Sequence, residues 1–459
     1  MTTLEYAQPE LAAAPKRQLT VFDSTCIIVG IIIGSAFYEN TPMIAQGVSS
    51  PVWFIGVWVF GGVLSLVGAL CYAELATAYP ASGGDYVYLT RAFDRRTGFL
   101  FAWAQLWIVR PGSIGAMAYV FARYAHQLRP LGSQNLSLMI YAVGSVLVLT
   151  GINIIGVRES KWTQNLLTTL KAAGVLAIVA VGLTSAPQPA PAVPRSGPFA
   201  LSLIMIFYAY GGWNEMAYVA AEVRDPRRNI LRSLIIGTLA VTLIYVLANL
   251  AFLHALGLKG VRNSDAIAAD VLRSIGGKWG AGAISALICI TALGAINGMI
   301  FTGARINYAV GAEHRLYSLL GTWNSRTGTP IWSLVIQAVV TVGLAVPFGL
   351  VSGGFRSFID YTTPVFWIFF LLVGASLFVL RFREPTRARP YRVPLYPIIP
   401  ALFCLSSAFM VYESLDYAIG QRRWPALWSI VLLVIGVAMS FYDPRPREQN
   451  ADRGFAVAK

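Results

Sequence analysis

Two glycine-interrupted segments hold the residues best equipped for recognition chemistry. The first reads Gly30-Ile31-Ile32-Ile33-Gly34-Ser35-Ala36-Phe37-Tyr38, the second Phe207-Tyr208-Ala209-Tyr210-Gly211-Gly212-Trp213-Asn214-Glu215. Each interrupts an apolar run long enough to cross a bilayer. Glycine costs a helix interior about 1 kcal/mol relative to alanine, so Gly211-Gly212 followed by Trp, Asn and Glu predicts a broken helix. Open backbone at membrane depth survives only where it is buried in protein or lines a cavity. Amides freed near Ser35, Ala36 and Phe37, at a half-helix N-terminus, suit a carboxylate. Carbonyls freed near Tyr208, Ala209 and Gly211, at a half-helix C-terminus, suit an ammonium. Together they would read the zwitterionic head of an α-amino acid. At Gly34-Ser35-Ala36 a second reading, close helix packing through small residues, stays open.

Few side chains add charge at this depth. Lys171 falls about ten residues into the apolar run that starts at Trp162. A buried lysine is costly in a membrane and points to a function; the alternative is a side chain snorkelling to the cytoplasmic interface. Asn214 is placed to stabilise the second break by bonding freed backbone. Arg110 and Glu215 could each be a charge in a vestibule or one side of an internal pair. Asp85, Arg91, Glu222, Arg224 and Arg228 read as cytoplasmic gate and loop-folding charges. Cys26, Cys71, Cys289 and Cys404 are scattered and read as packing residues. With no Ser/His/Asp, Cys/His or metal-ligand cluster in the pattern, no enzyme activity, metal or cofactor is expected.

The elements that must position these residues follow from composition. Of 459 residues, 56% are hydrophobic and 12% charged, about half the charged fraction of a soluble domain, and the mean hydropathy is +0.62. Runs of roughly 20 apolar residues recur near 21–46, 52–79, 97–126, 137–156, 162–184, 199–223, 231–256, 280–309, 331–348, 358–381, 398–418 and 425–442, giving twelve expected spans. The net charge of +14 is spread over short loops and reads as topology, not nucleic-acid binding. With both termini cytoplasmic, Arg91, Arg95, Arg96, Arg158, Lys161, Arg224 to Arg232, Arg315, Arg326 and the Arg383–Arg392 cluster all fall inside. Lys259, Arg262, Arg273 and Lys278 fall outside, in a segment long enough for its own amphipathic helix.

The organisation expected is therefore a cytoplasmic tail (1–20, without the pattern of a cleaved signal peptide), a first five-helix repeat (21–184) and an external Pro-rich connector (185–198). A second five-helix repeat (199–381), a basic cytoplasmic loop (382–397), helices 11 and 12 (398–443) and a cytoplasmic tail (444–459) complete it. Spans one and six carry the breaks. Five crossings between them invert the second repeat, and paired broken spans of this kind mark a transporter site.

Four stretches carry a family likeness. They are Gly34-Ser35; Ser82-Gly83-Gly84-Asp85-Tyr86 with Trp107-Ile108-Val109-Arg110-Pro111; Tyr210-Gly211-Gly212-Trp213-Asn214 through Glu222-Val223-Arg224-Asp225-Pro226-Arg227-Arg228-Asn229-Ile230; and Gly294-Ala295-Ile296-Asn297-Gly298 with Phe301-Thr302-Gly303-Ala304-Arg305. The chain resembles the amino acid–polyamine–organocation superfamily and, within it, a bacterial branch of the L-type amino acid transporters. The resemblance implies an all-α leucine-transporter-like fold, alternating access and sodium-independent exchange of neutral L-amino acids in the plasma (inner) membrane. It places Val109, Gly112, Tyr208 and Gly212 at the side-chain pocket and gate. It places Lys171 where a cation bridges spans one and eight in sodium-coupled relatives, reaching Gly30 and Thr291. Animal members bind a heavy subunit through a cysteine after span three; residues 126–137 hold none, so no disulfide-linked partner is expected. The chain departs from the family at Ala36, where glycine is usual, and at Tyr38-Glu39. A proton-coupled symporter or an amine/polyamine permease is the competing expectation.

Overall fold

The computed structural model describes residues 15–189, 194–264, 266–276, 279–350, 354–420 and 424–441. Most of the expected tails and residues 190–193 of the connector lie outside these. The described residues fold into helices joined by short loops: α1 (Val21–Ile32), α2 (Ala36–Gln46), α3 (Pro51–Ala78), α4 (Asp85–Ala92), α5 (Arg95–Ala104), α6 (Arg110–Leu128), α7 (Gln134–Ile155), α8 (Val157–Thr184) and α9 (Phe199–Ala209) come first. Then come α10 (Glu215–Tyr218), α11 (Pro226–Asn263), α12 (Ile267–Gly276), α13 (Trp279–Glu313), α14 (Ile331–Leu350), α15 (Gly354–Arg383), α16 (Ile398–Gly420) and α17 (Trp424–Ser440). Eight of them are long and apolar enough to cross a membrane, or nine when α1 and α2, bent by 53°, count as one broken span.

Local chemistry sets several boundaries. Thr20 opens α1 with a reciprocal capping box: its hydroxyl accepts from Asp23 N and the Asp23 carboxylate accepts from Thr20 N. Ser50 caps α3, with Pro51 at the first helical position. Asp94 caps α5. A π-helical turn, Gln105–Val109, joins α5 to α6, so the third apolar run is one continuous rod with a local bulge. Gly257, at φ 63°, kinks α11 and turns the chain towards α12. That short helix is the amphipathic segment expected between spans seven and eight; Ile267, Ala268 and Val271 are its buried face.

The core surrounds α1. This helix packs on α8, α11 and α13 and touches α10, while α2 lies against α9 and α11. Around them α6 runs beside α13, α7, α14 and α15, and α3 runs beside α11. Phe37, at the start of α2, is fully buried and stacks on Tyr245 with ring centroids 4.4 Å apart. Helices α16 and α17 pack on the outside, against α15, α3 and α5.

The basic loop before α16 is tied down by one carboxylate. Glu74 of α3 is 2% exposed. It accepts from Arg381 Nε at 2.8 Å and from the backbone N of Val393 at 2.7 Å, and Arg389 Nε lies 3.5 Å away. Removing one side of a buried pair strands the other charge. Glu74→Gln should therefore destabilise the fold by about 3 kcal/mol, read as a lower melting temperature of the purified protein. An unchanged melt would rule out this anchoring role.

Candidate functional site

The two breaks meet in the middle of the core. At the end of α1, Ile33 N donates to Val29 O and Gly34 N turns back to Ile32 O at 2.7 Å. Helix α2 restarts with Ser35 O accepting from Tyr38 N and Glu39 N. The amides of Ser35, Ala36 and Phe37 lie at the cap and first turn of α2 and so have no partner within the helix. Ser35 makes no capping bond; its hydroxyl faces Met117 Sδ at 3.9 Å. In the second break, Tyr210 N donates to Ile206 O and Gly211 N to Tyr208 O at 3.3 Å. Gly212 follows at φ +120°, where a Cβ would come 2.8 Å from Ile31 Cγ2. A glycine is therefore required both for its conformation and for the close approach of the two breaks.

Donors from neighbouring helices hold the freed carbonyls. Lys171 of α8 is fully buried, and its Nζ donates to Gly30 O at 2.6 Å, Thr291 O at 3.0 Å and Ile33 O at 3.1 Å. It takes the backbone oxygen of Thr291, not its hydroxyl. The Tyr245 hydroxyl of α11 lies 2.9 Å from Ile32 O and 3.1 Å from Ala209 O, joining the ends of α1 and α9 through one group. That hydroxyl has a single proton, which Ile32 O and Ala209 O must share, so Ala209 O, expected for an ammonium, keeps accepting capacity. Thr168 Oγ1 donates to Cys26 O at 2.9 Å. Gln164 receives Asn297 Nδ2 at 2.9 Å, and Asn297 in turn receives Asn153 Nδ2 at 2.9 Å. Ser160, Gln164, Thr168 and Lys171 recur at helical spacing along one face of α8, a polar stripe turned towards α1 and α13.

The other expected residues are placed as follows. Tyr208 is half-buried beside the second break, and Val109 is buried in the π-helical turn. Gly112 faces α15, where a Cβ would stand 2.2 Å from Thr362 Cγ2. Asn214 was expected on freed backbone; its Nδ2 instead donates to the Tyr218 hydroxyl at 3.2 Å, because Asn214 already sits in the first turn that leads into α10. Arg110 and Glu215, left open from sequence, form one internal ion pair at 2.8 Å. The Thr302 hydroxyl donates to Glu215 at 2.5 Å, and Arg110 Nε donates to Gln105 Oε1 at 3.2 Å.

Asp85 sits beside this pair, in the loop helix α4 between α3 and α5. It accepts from the hydroxyls of Tyr218 at 2.7 Å and Tyr72 at 3.0 Å. Burial pushes its carboxyl up to about 7, against the lowering pull of those two hydrogen bonds. Farther along, Glu222 and Arg305 form a pair with both side chains fully buried, 2.7 Å apart. Glu222 O accepts from Gln18 N and Leu19 N, and Arg224 N returns to Leu19 O at 2.9 Å, so the chain entering α1 is strapped beside the segment leaving α10. At the other end of α2, Arg262 donates to Ala45 O at 2.9 Å and Pro194 O at 2.7 Å and also to Val48 O. A cation there caps the negative end of the helix.

Comparison with known proteins identifies the family. A family model described as amino acid permease matches residues 19–438. The chain is 30% identical over 418 residues to the large neutral amino acids transporter small subunit 2 of Mus musculus, covering 88% of this chain and 77% of that one. It is 27% identical over 452 residues to the b(0,+)-type amino acid transporter 1 of Homo sapiens, covering 96% and 90%. It is 30% identical over 413 residues to the cystine/glutamate transporter of Pongo abelii, covering 87% and 80%.

Two predictions follow from the geometry of the breaks. Gly212→Ala places a side chain in a conformation that costs about 1–3 kcal/mol and presses on Ile31; Gly211→Ala meets nothing nearer than 3.5 Å. The first variant should melt markedly lower than the second, and equal shifts would exclude backbone strain at Gly212. For Asp85 the folded state favours the protonated carboxyl, so its contribution to stability is full below about pH 4 and is lost as pH rises through about 7. Asp85→Asn should flatten the melting temperature across that window; a slope identical to wild type would place the titration elsewhere.

Proposed function

The chain belongs to the amino acid permease family and transports amino acids, and on that premise we propose that it exchanges neutral L-amino acids across the plasma (inner) membrane by alternating access, independently of sodium. The observation that carries this reading is the Lys171 ammonium, within hydrogen-bonding distance of Gly30 O and Ile33 O of α1 and Thr291 O of α13. A fixed cation there supplies the positive charge that a bound ion would bring. It satisfies carbonyls from the first break and from the facing helix at once, so no sodium is needed to assemble the site.

In this reading the amides of Ser35, Ala36 and Phe37 bind the substrate carboxylate. The carbonyls of Tyr208, Ala209 and Gly211 bind its ammonium, Ala209 O lying also 3.1 Å from the Tyr245 hydroxyl. Val109, Gly112, Tyr208 and Gly212 shape the side-chain pocket and its gate, and Asn214 supports the second break through Tyr218. Counting α1–α2, α5–α6 and α9–α10 as one crossing each, and leaving out the short helices α4 and α12, gives twelve spans, two inverted five-helix repeats followed by α16 and α17, with both termini cytoplasmic. No disulfide-linked heavy subunit is required. The work done is differential binding of one substrate by two access states, with no bond made or broken.

Proton-coupled symport is the second reading. Asp85, titrating near neutrality next to the Arg110–Glu215 pair, is what favours it. A pH jump across substrate-loaded vesicles separates the two: exchange ignores it, whereas symport is driven by it.

Proteoliposomes loaded with unlabelled neutral amino acids should take up labelled neutral amino acid equally well in sodium and in choline media. Lys171→Ala should lower that uptake at least ten-fold. Wild-type uptake that disappears without sodium, or an unimpaired Lys171→Ala, would defeat the proposal.

A further inference from the structure

Arg110 and Glu215 adjoin, in sequence, the two segments to which the proposed side-chain pocket is assigned, at Val109 and at Gly212. Arg110 is the first residue of α6, directly after the π-helical turn that carries Val109. Glu215 is the first residue of α10, directly after the second break. Their side chains are 3% and 9% exposed and meet at 2.8 Å. Around them stand Thr302 of α13, 2.5 Å from Glu215 and 3.3 Å from Arg110, and Gln105, 3.2 Å from Arg110. The Tyr218 ring lies 5.0 Å from the guanidinium. The remaining carboxylate nearby, Asp85, is hydrogen-bonded to Tyr72 and Tyr218.

A buried guanidinium facing a buried carboxylate leaves no net charge. Neither partner can be removed cheaply, because the survivor is then an uncompensated charge in a low-dielectric interior. Such a charge captures a counter-ion from whatever can reach it. In an amino-acid transporter the solute admitted beside it is an amino acid, and the variable part of that solute is its side chain.

We propose that the Arg110–Glu215 pair sets the charge specificity of the transported side chain: Glu215 cancels the field of Arg110 and thereby excludes acidic substrates, and Arg110 reciprocally excludes basic ones. This deepens the neutral amino-acid reading of the site and rests on it. Specificity here is a difference between affinities, achieved by denying charged side chains a partner. The head-group contacts are common to all amino acids and cannot make that distinction. Thr302 reinforces the pair by fixing Glu215 from α13, so that the carboxylate stays on Arg110.

The test compares wild type, Glu215→Gln and Arg110→Gln in proteoliposomes loaded with a neutral amino acid that the wild type exchanges. Uptake of the same labelled compound is competed with leucine, glutamate and arginine as free amino acids. In Glu215→Gln, the inhibitory concentration of glutamate relative to that of leucine should fall at least ten-fold; in Arg110→Gln, that of arginine should fall likewise. Should either variant be too unstable to reconstitute, its melting in detergent is measured with each free amino acid. The complementary charged compound should then raise the melting temperature of its own variant by several degrees more than leucine does, and leave the wild type unmoved. Competitor ratios equal to wild type, or melting shifts no larger with the charged compound than with leucine, would overturn the proposal. A wild type that exchanges no amino acid at all would defeat the reading on which it rests, an outcome distinct from a wild type that exchanges while its variants keep the same ratios.

Discussion

A carbonyl or amide released from a helix in the middle of a membrane has no water to turn to, and each one left unpaired costs several kcal/mol. The broken span therefore has to be completed by donors from elsewhere, and the rest of the architecture is arranged to deliver them. Lys171 reaches from α8 to the last turns of α1. The Tyr245 hydroxyl reaches from α11 to the ends of both α1 and α9, and Thr168 covers Cys26 O one turn earlier. This explains why α1 is enclosed by α8, α11 and α13 while many other helices expose wide apolar faces.

The same constraint accounts for the buried charges. Among the described residues, several internal ion pairs join elements distant in sequence, such as Glu74 with Arg381, Arg110 with Glu215, and Glu222 with Arg305. Hydrophobic packing between helices is nearly isoenergetic with packing against lipid tails, so it is a weak instrument for fixing which helix sits beside which. An ion pair whose partners have no alternative in lipid is more discriminating. Glu222 is the fullest case. Its side chain takes Arg305 of α13, and its backbone oxygen takes the amides of Gln18 and Leu19, so one residue locates the chain entering α1 relative to both α10 and α13.

Much of this could be read from residue types alone. Gly211-Gly212 at mid-span announced a break because two glycines followed by Trp, Asn and Glu make a poor helix at any depth. Lys171 stood out because a lysine in an apolar run has so few tolerable environments. The polar stripe of Ser160, Gln164, Thr168 and Lys171 was equally available, at intervals of four, four and three residues, but only its charged member attracted notice. Tyr245 carried almost no signal: a tyrosine among aliphatic residues looks like core packing, and its two acceptors lie on helices far away in sequence. Arg110 and Glu215 could not be paired from sequence because 105 positions separate them and either could have faced a vestibule. For Asn214 the sequence points to freed backbone, whereas its amide donates to the Tyr218 hydroxyl, since an amide can donate to backbone or hydroxyl with similar energy and local geometry chooses.

The straps at the outer ends of α1 and α2 complete the argument. One end of the broken span is held by the Leu19–Val223 bridge and the hydrogen bonds around it; the other is held by Arg262 on the last carbonyls of α2. The first strap is made of neutral backbone hydrogen bonds, each worth about 1 kcal/mol net, while the second is charge-assisted, Arg262 being buried on Ala45 O, Pro194 O and Val48 O. At the centre, by contrast, a buried ammonium with three carbonyl acceptors has nowhere else to go. The broken span is thus held at both ends and at its break, by a buried cation at two of the three places, Arg262 and Lys171.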